Sequence, residues 1–334
     1  MQTRHLATYG VVALAIAAGF TASAGAQAQR PGARGARAGT PAMTPWGEPD
    51  LQGIWTNTTS TPFERPDALA GKSVISDEEV ANLDRQAARA ADAAPRKGDP
   101  GTYNDFWFDR GARTNRTSLI TEPQTGKLPP LTPKGQELQN TIGKARRSPP
   151  TGPEDLSLFE RCLTRSLPGA MLPGFYNHNY QIVQTPGYVM LFIEMIHDVR
   201  IIPTSGKAGN ARPHLASNLQ KWLGDSRGRW EGNTLVVETK NVHPGLELRP
   251  SRTVMAGTEK LTLVERFTPV DANTMDYQFT VSDPEMFTSP WTVSTPMARA
   301  DLQIFEYACH EGNHAIGNML RGARLEEREA AGRR

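Results

Sequence analysis

From residue 180 onward the apolar positions fall into short, β-prone runs separated by turn residues. Residues 180–183 and 188–194 are two such runs, and Thr185-Pro186-Gly187 between them predicts a hairpin. A third run, 199–202, follows. Residues 227–230 and 234–239 flank Glu231-Gly232-Asn233 and predict another hairpin, while 261–267 and 275–281 flank Pro269-Val270-Asp271-Ala272-Asn273, a turn dense in breakers. Residues 291–295 and 302–308 complete the series, and 317–328 reads as a closing helix. About eight strands with short connections and no helix between them predict an antiparallel sheet. The expected class is mainly β (α+β): a lipocalin-like barrel, with a sandwich as the alternative, whose mouth is a natural small-molecule pocket.

Upstream the pattern changes. Residues 44–160 read as an irregular, partly helical region that wraps the β core of 161–328. Its opening stretch, from Thr44-Pro45-Trp46 to Gly53-Ile54-Trp55, is extended and offers two tryptophans for burial. A helix is expected over 76–94, where Ser76 and Glu79 form a capping box, and a shorter one over 133–146. Between 95 and 153 the text is proline-rich, with Phe106-Trp107-Phe108 as its one strong apolar anchor.

The first 28 residues read as a signal peptide. Arg4 and His5 precede an apolar stretch over 7–20, and Ala24-Gly25-Ala26 or Ala26-Gln27-Ala28 offers a cleavage site. Polar residues follow Phe20 at once, so no membrane anchor is expected. Residues 29–43 form a Gly/Ala/Pro tail expected to be disordered. The expected location is periplasmic or secreted. Cys162 and Cys309, the only two cysteines, then suggest one disulfide. The alternative is a catalytic thiol, for which nothing near Cys162 supplies an activating histidine. A net charge of +2, with Arg30, Arg34 and Arg37 clustered only in the tail, argues against a nucleic-acid partner.

Several strings form a recognisable set: Leu51-Gln52-Gly53-Ile54-Trp55, Ile182-Val183-Gln184-Thr185-Pro186-Gly187, and the run from Gly224 through Arg229-Trp230-Glu231-Gly232-Asn233-Thr234-Leu235-Val236-Val237-Glu238. Glu265-Arg266-Phe267, Asp283-Pro284, Pro290-Trp291-Thr292 and Glu306-Tyr307-Ala308-Cys309 complete it. With these the chain, from about residue 44 to 327, resembles a widespread family of uncharacterised exported bacterial proteins. Many members carry Asp at position 233, and position 314 is often not His. The resemblance brings no activity with it.

Three groups could carry chemistry. His310-Glu311-Gly312-Asn313-His314 matches H-E-x-x-H, which on a helix would offer His310 and His314 to zinc, with Glu311 as base and Glu326 as a third ligand. Against this, Gly312-Asn313 is poor helix interior, and the alternative is a turn before the closing helix. Glu194, His197, Asp198 and Arg200 form a second group, in which Glu194 or His197 is a base oriented by arginine, or a salt bridge braces the rim. Tyr176-Asn177-His178-Asn179 could grip a polar ligand or form a buried polar turn. Trp222, Arg266 and Tyr307 are further candidates for substrate contact, although Glu265 and Arg266 must point to opposite faces of their strand. His214 and His243, in loops without sequence partners, read as solvated surface. No nucleotide-binding glycine loop, serine elbow or haem motif occurs. The expected function is therefore acid–base chemistry on a small organic substrate, of aromatic or sugar-derived type. The catalytic groups would be His178, Glu194, His197, His310 and Glu311, in a lyase, isomerase or hydrolase without cofactor. A non-catalytic small-molecule binding protein and a zinc hydrolase are the alternatives.

Overall fold

The computed structural model describes residues 42–94, 106, 109, 111, 113–205, 212–243, 245, 247–248 and 255–332. The expected signal peptide, nearly all of the tail, and Trp107-Phe108 lie outside the described residues. Phe106 is 83 % exposed rather than the buried anchor expected of it.

The core is a nearly closed antiparallel β-barrel. Its strands in chain order are β1 (Gly53–Thr56), β2 (Ile120–Glu122), β3 (Asn179–Thr185), β4 (Tyr188–Ile193), β5 (Asp198–Pro203), β6 (Asp225–Glu231) and β7 (Thr234–Lys240). A two-residue pair, β8 (Glu247–Leu248) and β9 (Met255–Ala256), stands apart. The barrel resumes with β10 (Thr262–Pro269), β11 (Thr274–Ser282) and β12 (Trp291–Arg299). Around the sheet the order is β5-β4-β3-β1-β12-β11-β10-β7-β6, with β2 added beside β12. The two end strands meet at one bridge, Thr204 to Gly228, where the Ser205 amide donates to the Gly228 carbonyl at 3.2 Å. Gly228 permits this approach, because a Cβ there would lie 2.9 Å from Thr204 Cγ2.

Alternation along the strands fills the interior. Tyr180 and Ile182, Val189 and Leu191, Leu263 and Phe267, Tyr277 and Phe279, and Trp291 and Val293 are all buried. β1 corrects the boundary expected near residue 161: the stretch around Trp55 is itself a barrel strand, seated between β3 and β12. Residues 302–308, expected to be a strand, form no strand.

Helix α1 (Asp77–Ala91) starts at the Ser76/Glu79 capping box. Helix α2 (Pro133–Arg147) is capped by Thr132, with Pro133 in its first turn. Leu138 and Ile142 of α2 pack on the barrel core. Helix α3 (Ala315–Gly332) closes the chain and buries only Ala323. Among the described residues no helix is long and apolar enough to cross a membrane.

Candidate functional site

One end of the barrel gathers most of the residues singled out from the sequence. It is built from the loop at 159–178, the turn between β4 and β5, and the strap at 301–313. The Cys162–Cys309 disulfide ties strap to loop, with a Cα separation of 5.8 Å. Thr164 Oγ1 donates to Asp198 Oδ2 at 2.8 Å and ties loop to turn. Burial raises the Asp198 carboxyl above its ordinary range, and the Thr164 hydrogen bond opposes that rise.

Backbone strain concentrates here. Six non-glycine residues have positive φ among those described, and five belong to this end: Cys162, Ser166, Asn177, Ile196 and His197. Ile196, β-branched at φ 60° and buried, is the most costly of these. Such conformations cost on the order of 1–3 kcal/mol each and persist only where the surroundings hold them.

His178 is enclosed. Arg165 Nη1 lies 3.0 Å from its Nε2. Since a guanidinium only donates, Nε2 accepts and the ring proton sits on Nδ1, which faces the Tyr180 hydroxyl at 3.5 Å. Tyr180 donates in turn toward Ala170 O (3.2 Å) or Asn57 Oδ1 (3.3 Å). Burial, and then the Arg165 cation, hold the His178 pKa down at about 3. Gly174 makes room for the ring, because a Cβ there would lie 1.8 Å from Nε2.

Glu194 is 2 % exposed. Asn179 Nδ2 donates to its Oε2 at 2.7 Å, and the Phe305 amide of the strap donates to Oε1 at 3.4 Å. Both donors are neutral, and among the described residues no cation pairs with this carboxylate. Asn179 Oδ1 is also buried and takes no hydrogen bond among the described residues. His197 is exposed and its Nδ1–H donates to the Tyr307 carbonyl at 3.2 Å. Beside the disulfide, Phe159, Glu160, Tyr307, Glu311 and Asn313 line an open cleft of about 400 Å³. Tyr176 is exposed and Asn177 half-buried on the same loop.

The remaining candidates lie elsewhere. Arg200 points into the barrel, not toward Glu194, and forms a two-point ion pair with Glu265 at 2.9 and 2.5 Å. Ser226, Thr239 and Tyr277 complete a buried network around it. Burial works against the Arg200 charge, but Glu265 outweighs it and raises the pKa. Burial, then Glu265, push the Tyr277 hydroxyl well up. Arg266 faces outward and pairs with Glu231 at 2.9 Å. Trp222 stacks on His243 with ring centroids 4.1 Å apart, away from the Glu194 group.

The H-E-x-x-H string is not helical. Gly312 has φ 68°, and α3 begins at Ala315, after His310 and His314 have passed through a turn. His310, Glu311, His314 and Glu326 are all exposed, and among the described residues no three histidine, cysteine or acidic groups converge on one point. The one-face presentation required of His310 and His314 is therefore not met.

Several participants carried no sequence signal. Arg165 and Asn57 reach the His178 cluster from loops, and Glu265 meets Arg200 across 65 positions. His214, read as solvated surface, bridges Asp225 at 3.0 Å and Glu238 at 3.1 Å. Only the strand parity of Glu265 was visible beforehand. Comparison with protein-family models, curated proteins and solved structures finds no match to this chain.

Proposed function

We propose that this is an exported protein, periplasmic or secreted, that takes a small organic molecule at the Glu194 end of its barrel and moves a proton on it, as a lyase or isomerase. Glu194 is the base. The reading rests on one observation: a carboxylate 2 % exposed and held by two neutral donors, without a cation among the described residues. Burying a carboxylate without a counter-charge is costly, and such groups cluster where chemistry needs them. Asn179 orients the carboxylate with its amide N–H, while its unpartnered Oδ1 is available to a substrate hydroxyl. The strap contact through Phe305 is the longer of the two bonds and is the one that yields when substrate enters.

His178 takes no part in proton transfer in this scheme. Both its nitrogens are engaged within the protein, and the Arg165 cation disfavours a second proton. His197 holds the strap through the Tyr307 carbonyl. Proton transfer by a lone carboxylate fits elimination or isomerisation better than hydrolysis, which also needs a nucleophile or an activated water.

A second reading, a binding protein without chemistry, is favoured by a separate observation. Glu194, His178 and His197 each bond to other groups, so no histidine in this cluster shares a proton with a carboxylate. The test is incubation in D2O with a panel of aryl ketones and sugar lactones, read by mass spectrometry and thermal shift. Wild type is expected to incorporate deuterium into at least one compound, and Glu194→Gln to bind that compound without exchanging it. Stabilisation by a panel compound without exchange or turnover would instead support the binding reading.

A further inference from the structure

A second cleft shares no residue with the Glu194 end. It lies between α1 and the chain around 62–75 and 113–117, and measures about 420 Å³. Pro62, Leu69, Ile75 and Leu83 give it a largely apolar lining, and Arg113 and Arg116 stand in its wall. That size and composition, apolar with a few polar groups, are those of a small-molecule site.

Two features of the cleft suit it to a ligand. Helix α1 has an apolar stripe, yet none of its residues is buried, and Leu83 on that stripe is only half-buried. An amphipathic helix ordinarily buries its stripe. The second feature is the pair of arginines. Arg113 is 9 % exposed and commits its Nε to Asp84 at 3.0 Å, while Arg116 commits one N–H group to the Ser294 carbonyl. Among the described residues their other guanidinium N–H groups take no partner. Burial lowers the Arg116 pKa, with Asp276 opposing, so an added anion would relieve its desolvation. The nearby acids are already engaged: Glu79 with Lys72 at 2.6 Å and with the Ser76 amide, Asp84 with Arg113 and Ser60.

We propose that this cleft binds an amphipathic monocarboxylate, with its apolar body against Pro62, Leu69, Ile75 and Leu83 and its carboxylate on Arg113 and Arg116. Guanidinium is the side chain best suited to a planar carboxylate, and the apolar lining selects a ligand with a hydrocarbon tail or ring. The site is independent of the Glu194 reading.

The test is calorimetric titration of the mature chain with decanoate below its micelle concentration, with decan-1-ol as neutral control. One decanoate per chain is expected, weakened about 10-fold or more in Arg113→Met and in Arg116→Met. Leu83→Trp, which fills the cleft from a half-buried helix position, should abolish uptake, and Glu194→Gln should leave it unchanged. Bound decanoate should also slow amide exchange along α1. If either arginine variant fails to fold, Leu83→Trp decides alone. Equal affinity for decan-1-ol, wild-type uptake by Leu83→Trp, or no uptake by the wild type would overturn the proposal.

Discussion

Removing one partner of the buried Arg200–Glu265 pair should be among the most destabilising single changes in this protein. Arg200 is 3 % exposed and Glu265 0 %, so neither can turn to water when the other is lost. Glu265→Gln keeps an acceptor for Tyr277, now 2.8 Å from Glu265 Oε1, but leaves the Arg200 guanidinium bonded only to neutral groups (the Gln, Ser226 and Thr239) among the described residues. Arg200→Met leaves Glu265 with Tyr277 as its one remaining donor among the described residues. Breaking a buried pair from one side costs about 3–5 kcal/mol, because it leaves an uncompensated buried charge. The double variant strands neither charge. It should therefore be far less destabilised than the two single costs summed, with a coupling of about 2 kcal/mol or more. Urea unfolding at pH 7, followed by tryptophan fluorescence and extrapolated linearly, measures all four proteins. Single costs below about 1 kcal/mol, or additivity within about 0.5 kcal/mol, would refute the argument.

Three further outcomes follow from the geometry. His178, with its pKa held at about 3, stays neutral in the fold but protonates when unfolded near the ordinary value of 6.5. The unfolded state thus binds more protons between those values, so this contribution is complete above pH 6.5 and is lost as pH falls toward 3, by about 1.4 kcal/mol per pH unit. Unfolding at pH 7, 6, 5 and 4 should give a shallower slope for His178→Gln than for wild type, and parallel slopes would contradict the assignment. Loss of the Cys162–Cys309 bridge, which spans 147 positions, should cost about 2–5 kcal/mol, seen equally in Cys309→Ser and after reduction. An unchanged urea midpoint would show that the strap and α3 are held by other contacts. Because His310 and His314 lie in a turn, His314→Ala should leave the zinc content of purified protein as in wild type, whereas loss of one equivalent would restore the zinc reading.

The hairpins were legible because their signals are local. Thr185-Pro186-Gly187 and Glu231-Gly232-Asn233 sit between runs whose parity selects the inward face, and β3–β4 and β6–β7 form there. The capping box at Ser76 was equally local. Residues 302–308 were misread for a reason that is not local. They have strand composition, but β12, which precedes them, is already flanked by β1, β2 and β11, so no ladder position is open beside it. The same vacancy argument explains β1: its short glycine-broken text is weak strand signal, yet it fills the gap between β3 and β12. At the site, Glu194 and Asn179 could be named because a charge and an amide beside so apolar a run need a reason. Their pairing with one another and with the strap depends on contacts 15 and 111 positions apart, which no spacing rule contains.

The claim that matters most is that Glu194, and not a histidine, moves the proton. The direct measurement is the solvent-exchange rate of the first panel compound that wild type deuterates, compared across Glu194→Gln, His197→Gln and His178→Gln. A fall of about 10²–10⁴-fold is expected in Glu194→Gln, the range for loss of a positioned acid–base group, with less than about threefold in His197→Gln. Full activity in Glu194→Gln together with its loss in His197→Gln would contradict the account.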